Sequence, residues 1–244
     1  MEETVMNNYF NNCLSGIDIS EKGFCCLKKE LISGFDLDLA NDLLNLPCIR
    51  NTPESLSLII SVLKDGHDED MFINALCNQM ENITINIWEK YRQSFMDYLY
   101  EQRYIKRPHL LSLISALEKL YARHVPNVLE HIVMLYERLP FNNYDFSPHS
   151  EENVRIKCAK IAYNTTPYNM SQQLEEINCL KTQLKKSGNT QLLGIVFYYK
   201  ALCLRDIIRY DKDTTYFMLK SKNKGYALAD IYLDHLNVET SRKG

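Results

Sequence analysis

The sequence is poor in residues that break or staple a chain. Glycine and proline number 8 and 7 in 244 residues, too few for the many tight turns of a β-sandwich or barrel. No Cys-x-x-Cys occurs, so neither a zinc ribbon nor a dithiol redox motif is written into it. Most of the eight cysteines fall among apolar residues at helical positions, as with Cys77, Cys158, Cys179 and Cys203. They read as small buried hydrophobes of a reducing compartment. No apolar run approaches the ~20 residues of a membrane-spanning helix. Met1 to Gly16 is polar and acidic, unlike a secretory signal. The expectation is a cytoplasmic protein with no membrane span.

The motifs of common chemistries are also missing. There is no Gly-x-Ser-x-Gly elbow and no glycine-rich loop to cradle a phosphate. His124 and His131 are seven apart, but Pro126 intervenes and no cysteine or carboxylate joins them at a zinc spacing. The acidic cluster Asp65-Gly66-His67-Asp68-Glu69-Asp70 lacks the alternating oxygen ligands of a calcium loop. It precedes an apolar helical run, so Asp68 reads as a cap, with Glu69 and Asp70 at the positive helix end. No catalytic residue, metal or cofactor is expected. Nothing in the sequence distinguishes one Asp or Glu from another as an acid or base.

What is present is helical periodicity. Short helices are expected over 2–15, 20–33 and 36–46. Thr52-Pro53 opens a helix with Leu56, Ile59, Ile60 and Leu63 on its face. Arg107-Pro108 opens one with Leu110, Leu113, Ile114, Leu117 and Leu120. Val125-Pro126 opens another with Leu129, Ile132, Val133, Tyr136 and Leu139. Proline suits a first helical turn, where its missing N–H has no intrahelical partner. Between them lie 70–80 and 84–102, the latter carrying Ile85, Trp88, Tyr91, Phe95, Tyr98 and Leu99 on one stripe. Trp88, the only tryptophan, reads as core. The segment Pro140 to Ser150 is aperiodic and rich in turn formers. The division expected is an N-terminal helical domain, 1–140, and a C-terminal one, 150–240. After it come a helix made by Ser150 with Asn153 to Ala162, stopped by Thr165-Thr166-Pro167, and a second started there on the face Met170, Leu174, Ile177, Leu180 and Leu184. Gly188-Asn189 ends the second. The fold class is all-α, a helical-repeat or solenoid-like array of about a dozen amphipathic helices.

The net charge of −3 hides an asymmetry. Residues 1–100 hold 16 acidic and 7 basic side chains, a balance of −9; residues 101–244 hold 15 and 21, a balance of +6. A chain with one acidic and one basic part suits partners of opposite charge. Asn, Ile, Lys and Tyr are abundant, a composition associated with AT-rich bacterial or viral genes.

The most module-like stretch is Leu192 to Leu236. Leu192, Val196, Tyr199, Cys203, Ile207 and Tyr210 form one helical stripe, widened by Leu193, Ile195 and Leu202 until the helix needs burial on more than one side. Turn-prone residues at 210–213 follow, with Asp213 placed to cap a second helix. Lys224-Gly225 ends that helix, and Tyr226, Ala229 and Leu233, flanked by Leu228 and Tyr232, begin a third face. Leu193-Gly194, Tyr216-Phe217 and Lys224-Gly225-Tyr226-Ala227-Leu228-Ala229 together resemble one unit of a Sel1-like repeat, a relative of the tetratricopeptide repeat. The glycines that the family carries before the position of Asp211 are absent. The resemblance implies a helical surface that binds another protein.

The functional expectation is a non-catalytic protein–protein interaction module, an adaptor or regulator, bacterial or viral, whose partner presents a helix or peptide. Its contact residues are expected at Tyr198, Arg205, Arg209, Lys220, Lys222, Lys224 and Tyr226, and deletion of 189–244 to abolish binding without unfolding 1–140. Two alternatives remain. One is a nucleic-acid-linked regulator using the basic C-terminal half, where lysines meet phosphates and tyrosines stack on bases. The other is an enzyme whose site is assembled from distant residues.

Overall fold

The computed structural model describes residues 56, 59, 60, 63, 69–80, 83–102, 105–139, 150–208 and 211–243. The helices expected over 2–15, 20–33 and 36–46, the acidic cluster before Glu69, and the segment 140–149 lie outside the described residues. Every regular element among the described residues is helical. In chain order they are α1 (Glu69–Met80), α2 (Ile85–Glu101), α3 (Arg107–Ala122), α4 (Leu129–Arg138), α5 (Glu151–Asn164), α6 (Met170–Lys186), a 3₁₀ turn (Thr190–Leu192), α7 (Leu193–Ile208), α8 (Asp211–Lys222) and α9 (Ala227–Lys243). Packing divides the chain into two compact units, Met1–Ala116 and Leu117–Gly244. The division falls within α3.

In the first unit Leu56, Ile59, Ile60 and Leu63 are helical and buried. Their i, i+3, i+4, i+7 spacing puts them on one face. The core continues with Ile73, Leu76, Cys77 and Met80 of α1 and Trp88, Phe95, Met96, Tyr98 and Leu99 of α2. Thr84 caps α2, its hydroxyl accepting from the Ile87 N–H at 3.4 Å. Trp88 is core as the periodicity indicates, its ring centroid 6.1 Å from that of Phe95. Ile85, expected on the same stripe, is instead exposed. It is the first residue of the helix, although Ile83 before it and Trp88 one turn on are both buried.

The second unit is arranged around α7. That helix packs against α5, α6 and α8, while α8 packs on α9, α4 on α5, and α5 on α6. Contact on several sides explains why Leu193, Ile195, Val196, Tyr198, Tyr199, Ala201, Leu202 and Cys203 are all buried, as the wide apolar stripe requires. Ser150 caps α5, accepting from the Asn153 N–H at 3.3 Å, and Glu151 and Glu152 sit in its first turn, where the helix dipole favours acids. Two glycines end helices in the left-handed conformation: Gly188 after α6 and Gly225 after α8. At Gly225 the N–H of Tyr226 reaches back to the Ser221 carbonyl at 3.3 Å, the closing bond of a Schellman ending.

Three helix starts differ from the expectation. Pro126 does not begin α4; it lies in a turn with Asn127 at φ 57°, and the helix begins at Leu129. Pro167 likewise sits in a turn. Asn169 closes that turn, accepting from the Thr166 N–H at 2.7 Å and donating to the Asn164 carbonyl at 2.9 Å, so α6 begins only at Met170. The third is α8, which starts at Asp211 and places Asp213 inside the helix rather than at its cap.

Candidate functional site

Two clusters in the second unit bring chemically distinctive side chains together. The first is buried. The α3 face that carries Leu117, Leu120 and Tyr121 also carries Glu118, which is 2 % exposed. One of its oxygens, Oε1, accepts from the Tyr136 hydroxyl at 2.9 Å and from the Tyr199 hydroxyl at 3.1 Å. The other, Oε2, accepts from Arg155 Nη1 at 3.0 Å. Arg155 Nη2 also reaches Glu151 Oε1, one helical turn back, at 2.7 Å. The guanidinium lies over the Tyr226 ring, 5.5 Å from its centroid, and Tyr226 in turn meets Tyr198 edge-on at 5.3 Å.

The electrostatics follow from burial. Desolvation pushes the Glu118 carboxyl above its ordinary value, opposed by Arg155 and by the two tyrosine hydroxyls. Burial on its own would lower the Arg155 value, but Glu118, with Tyr226, Tyr136 and Glu151 behind it, outweighs this and holds the guanidinium charged. The Tyr136 and Tyr199 phenols are pushed well up, first by burial and then by the adjacent carboxylate. All three contacts to Glu118 are donors, the arrangement an ionised carboxylate requires. Its two oxygens are engaged and screened from water, so no position is left open on it for a reacting group. What the cluster does is tie α3, α4, α5 and α7 together.

The second cluster faces solvent on α6, α7 and α8. Tyr216 is 51 % and Leu219, three positions on, 47 % exposed; Phe197, Phe217, Lys181, Lys200 and Lys220 are half-buried. The Phe197 and Phe217 rings stack at 6.3 Å. Lys220 Nζ sits 4.2 Å from the Tyr216 centroid and 5.8 Å from that of Phe197. Lys200 Nζ sits 4.6 Å from the Phe217 centroid and donates to Asn178 Oδ1 at 2.9 Å. Its pKa is lowered, first by burial and then by repulsion from Lys181 and Lys220. The Lys200 and Lys220 ammoniums are therefore each held over a ring face, and Lys200 feels the like charges of Lys181 and Lys220 from the helices before and after its own.

The residues expected to contact a partner separate into different environments. Tyr198 is 1 % and Tyr226 8 % exposed, so both pack in the core beside Arg155 and offer no surface. Arg205 lies between two rings, 4.9 Å from the Tyr121 centroid and 5.8 Å from that of Tyr232. Lys222 is paired with Asp230 at 2.7 Å. Lys224 is exposed in the turn after α8. Lys220 belongs to the exposed cluster, and Arg209 lies outside the described residues.

Deleting 189–244 would remove Tyr199 and Tyr226 from around Glu118 and Arg155, so it cannot separate binding from folding. Cys77, Cys158 and Cys203 are buried, whereas Cys179, expected to be buried, is exposed: it stands on the side of α6 away from Ile177, Leu180 and Leu184. Among the described residues no group of three or more His, Cys, Asp or Glu is placed to hold a metal ion. No helix among them is long and apolar enough to cross a membrane.

Sequence reasoning passed over Glu118, Lys200 and Phe197. Glu118 stands four residues after Ile114 and three before Tyr121, squarely on an apolar face, and a carboxylate at such a position demands buried partners. Tyr216 and Lys220 are an i, i+4 pair, the spacing at which a lysine folds back over a ring on one helix face. Compared with protein families, curated proteins and solved structures, the chain matches none.

Proposed function

We propose that the chain is a non-catalytic protein–protein interaction module, an adaptor or regulator acting in the cytoplasm, and that its partner docks on the exposed face of α7 and α8. One observation carries this reading: Tyr216 and Leu219 of α8 lie half in solvent, and the Lys200 and Lys220 ammonium groups are held over the Phe217 and Tyr216 rings on the same helix. Aromatic and aliphatic side chains ringed by charge are what an interface presents at its centre and rim. The reading also takes the second unit as a helical-repeat array of Sel1-like type, supported by helices that pack on their chain neighbours while α7 also reaches back to α5. The Glu118 cluster supports the non-catalytic part, since both carboxylate oxygens already accept hydrogen bonds from Tyr136, Tyr199 and Arg155.

The test is affinity purification of the tagged full chain and of a Tyr216→Ala/Leu219→Ser variant, compared by quantitative mass spectrometry after nuclease treatment. Both positions are exposed, so thermal unfolding should be unchanged. A stoichiometric protein recovered with the natural chain and lost with the variant is the expected result. Equal recovery with both chains, or no stoichiometric protein with either, would reject the reading.

A further inference from the structure

We infer that the lysine–aromatic face formed by Lys181, Lys200, Lys220, Phe197, Tyr216 and Phe217 is a receptor for an acidic peptide segment of another protein, carrying apolar side chains between its carboxylates. This rests on the interaction-module reading above and gives that partner its chemistry. Charge complementarity is the first ground. Lys181, Lys200 and Lys220 come from three consecutive helices, and none has a carboxylate partner among the described residues, whereas Lys222 on the same helix as Lys220 is matched by Asp230. Like ammoniums brought within repelling range leave an anion-shaped deficit, and burial of Lys200 strengthens any bond it makes to one.

Order is the second ground. Lys200 is fixed by the Asn178 carbonyl and the Phe217 face, and Lys220 by Tyr216 and Phe197. Less side-chain freedom is left to lose when a carboxylate arrives. In an extended chain, carboxylates at alternate positions share one face about 7 Å apart, so two of them can meet neighbouring ammoniums together. Apolar side chains elsewhere in the segment then meet the exposed ring of Tyr216. A single-stranded nucleic acid fits less well. It needs free ring faces on which bases can stack, and here Lys220 covers one face of Tyr216 and Lys200 one face of Phe217.

The experiment is fluorescence anisotropy on the full chain with a short fluorescein-labelled peptide in which glutamates are separated by leucine and phenylalanine. The comparison probes are the same peptide with glutamine for glutamate and a single-stranded RNA of equal charge. The glutamate peptide should bind, more weakly as salt rises, and the glutamine peptide should not. Lys200→Gln/Lys220→Gln should weaken binding about tenfold, while Lys222→Gln, already neutralised by Asp230, changes it less than about twofold. On the unaltered chain, the peptide should protect Lys200 and Lys220 from acetylation, a readout that holds even if the double variant misfolds.

Absence of binding, binding indifferent to both lysines, or tighter binding of the RNA would overturn the inference. The two readings fail separately. A protein partner lost with Tyr216→Ala/Leu219→Ser while the glutamate peptide fails to bind keeps the module and removes the acidic ligand. Peptide binding with no such partner removes the module and keeps the receptor face.

Discussion

Replacing Glu118 by leucine is the sharpest perturbation of the second unit. The side chain is 2 % exposed and accepts three hydrogen bonds, from Tyr136, Tyr199 and Arg155. Leucine fills much of the same volume, so the loss is one of partners rather than of packing. Two buried hydroxyls lose their acceptor, at about 1–3 kcal/mol for each group left unsatisfied. Arg155 loses its buried counter-ion but keeps the solvent-exposed Glu151; breaking a buried pair from one side costs about 3–5 kcal/mol. These penalties describe one cluster and do not add, so the expected total is about 3–5 kcal/mol. Against a typical domain stability of about 5–15 kcal/mol this is a large fraction. Urea unfolding followed by far-ultraviolet circular dichroism reads it as a lower midpoint at unchanged slope. Adding Tyr136→Phe and Tyr199→Phe to Glu118→Leu removes the orphaned hydroxyls and should recover about 2 kcal/mol. A loss below about 1 kcal/mol for Glu118→Leu, or a gain in stability, would refute the structural role. It would mean that the carboxylate is kept at a cost for some other purpose, and the catalytic reading would have to be reopened at this cluster.

Other consequences are as direct. A Cβ on Gly194 would meet the Tyr226 Cβ at 2.9 Å and the Lys224 Cβ at 3.3 Å; Gly194→Ala should cost about 1–3 kcal/mol by overpacking despite the better helix propensity of alanine. Gly225→Ala meets open space and pays only for its positive φ, about 1–2 kcal/mol, and thermal unfolding should rank the two in that order. Ser221 is buried and donates to the Gly194 carbonyl at 2.7 Å, so Ser221→Ala should couple to Gly194→Ala by ~0.5 kcal/mol or more in a double-mutant cycle, and strict additivity would show that the two act independently. The Tyr136, Tyr199 and Tyr226 phenols are raised by burial above their ordinary value of 10.0. Above that pH the unfolded chain binds fewer protons than the folded one, so their contribution, complete below it, is lost as pH climbs. Tyrosinate absorbance for these residues should appear together with loss of the helical signal; full titration of every tyrosine in a still-helical protein would contradict it. Burial pushes the Cys158 thiol far above its ordinary value, so alkylation mapped by mass spectrometry should label Cys179 well before Cys158 and Cys203, and the reverse order would contradict the burial.

The sequence was most legible where a local rule acts alone. The helices begun near Thr84 and Ser150 form where expected, with each hydroxyl found to cap its helix, and Gly188 and Gly225 take the left-handed conformation that ends a helix cheaply. The faces of Leu110 to Leu120 and of Ile177 to Leu184 are buried because their spacing allows nothing else. Legibility failed where a second element decides. Proline announces a helix start only if no side chain closes a turn first, and Asn169 does so after Pro167. On α7 nearly every side is covered, so periodicity cannot rank its residues by exposure: Tyr198 and Tyr199 are both buried, while Phe197 just before them is half-buried in the exposed cluster. Glu118 was invisible as a special carboxylate because its partners stand 18, 37 and 81 positions away along the chain.

Gly194, Gly225, Tyr226 and Ala229, which carry part of the resemblance to a Sel1-like repeat, have a local physical explanation, which bears on what they can say about function. Gly194 is small because the Tyr226 and Lys224 Cβ atoms stand against it. Gly225 is glycine because the chain turns there through positive φ, and Tyr226 and Ala229 are buried against the same helices. Any closely packed helical hairpin with a Schellman ending imposes these demands, whatever it binds. They therefore speak to architecture and are silent on the partner. Phe197, Lys200 and Lys220 are under no such demand. Burying a half-exposed lysine beside two others lowers its pKa and repels its neighbours, and nothing in the hairpin's packing asks for that. Side chains whose placement the fold does not explain are where a binding function leaves its mark, and in this unit they converge on the lysine–aromatic face.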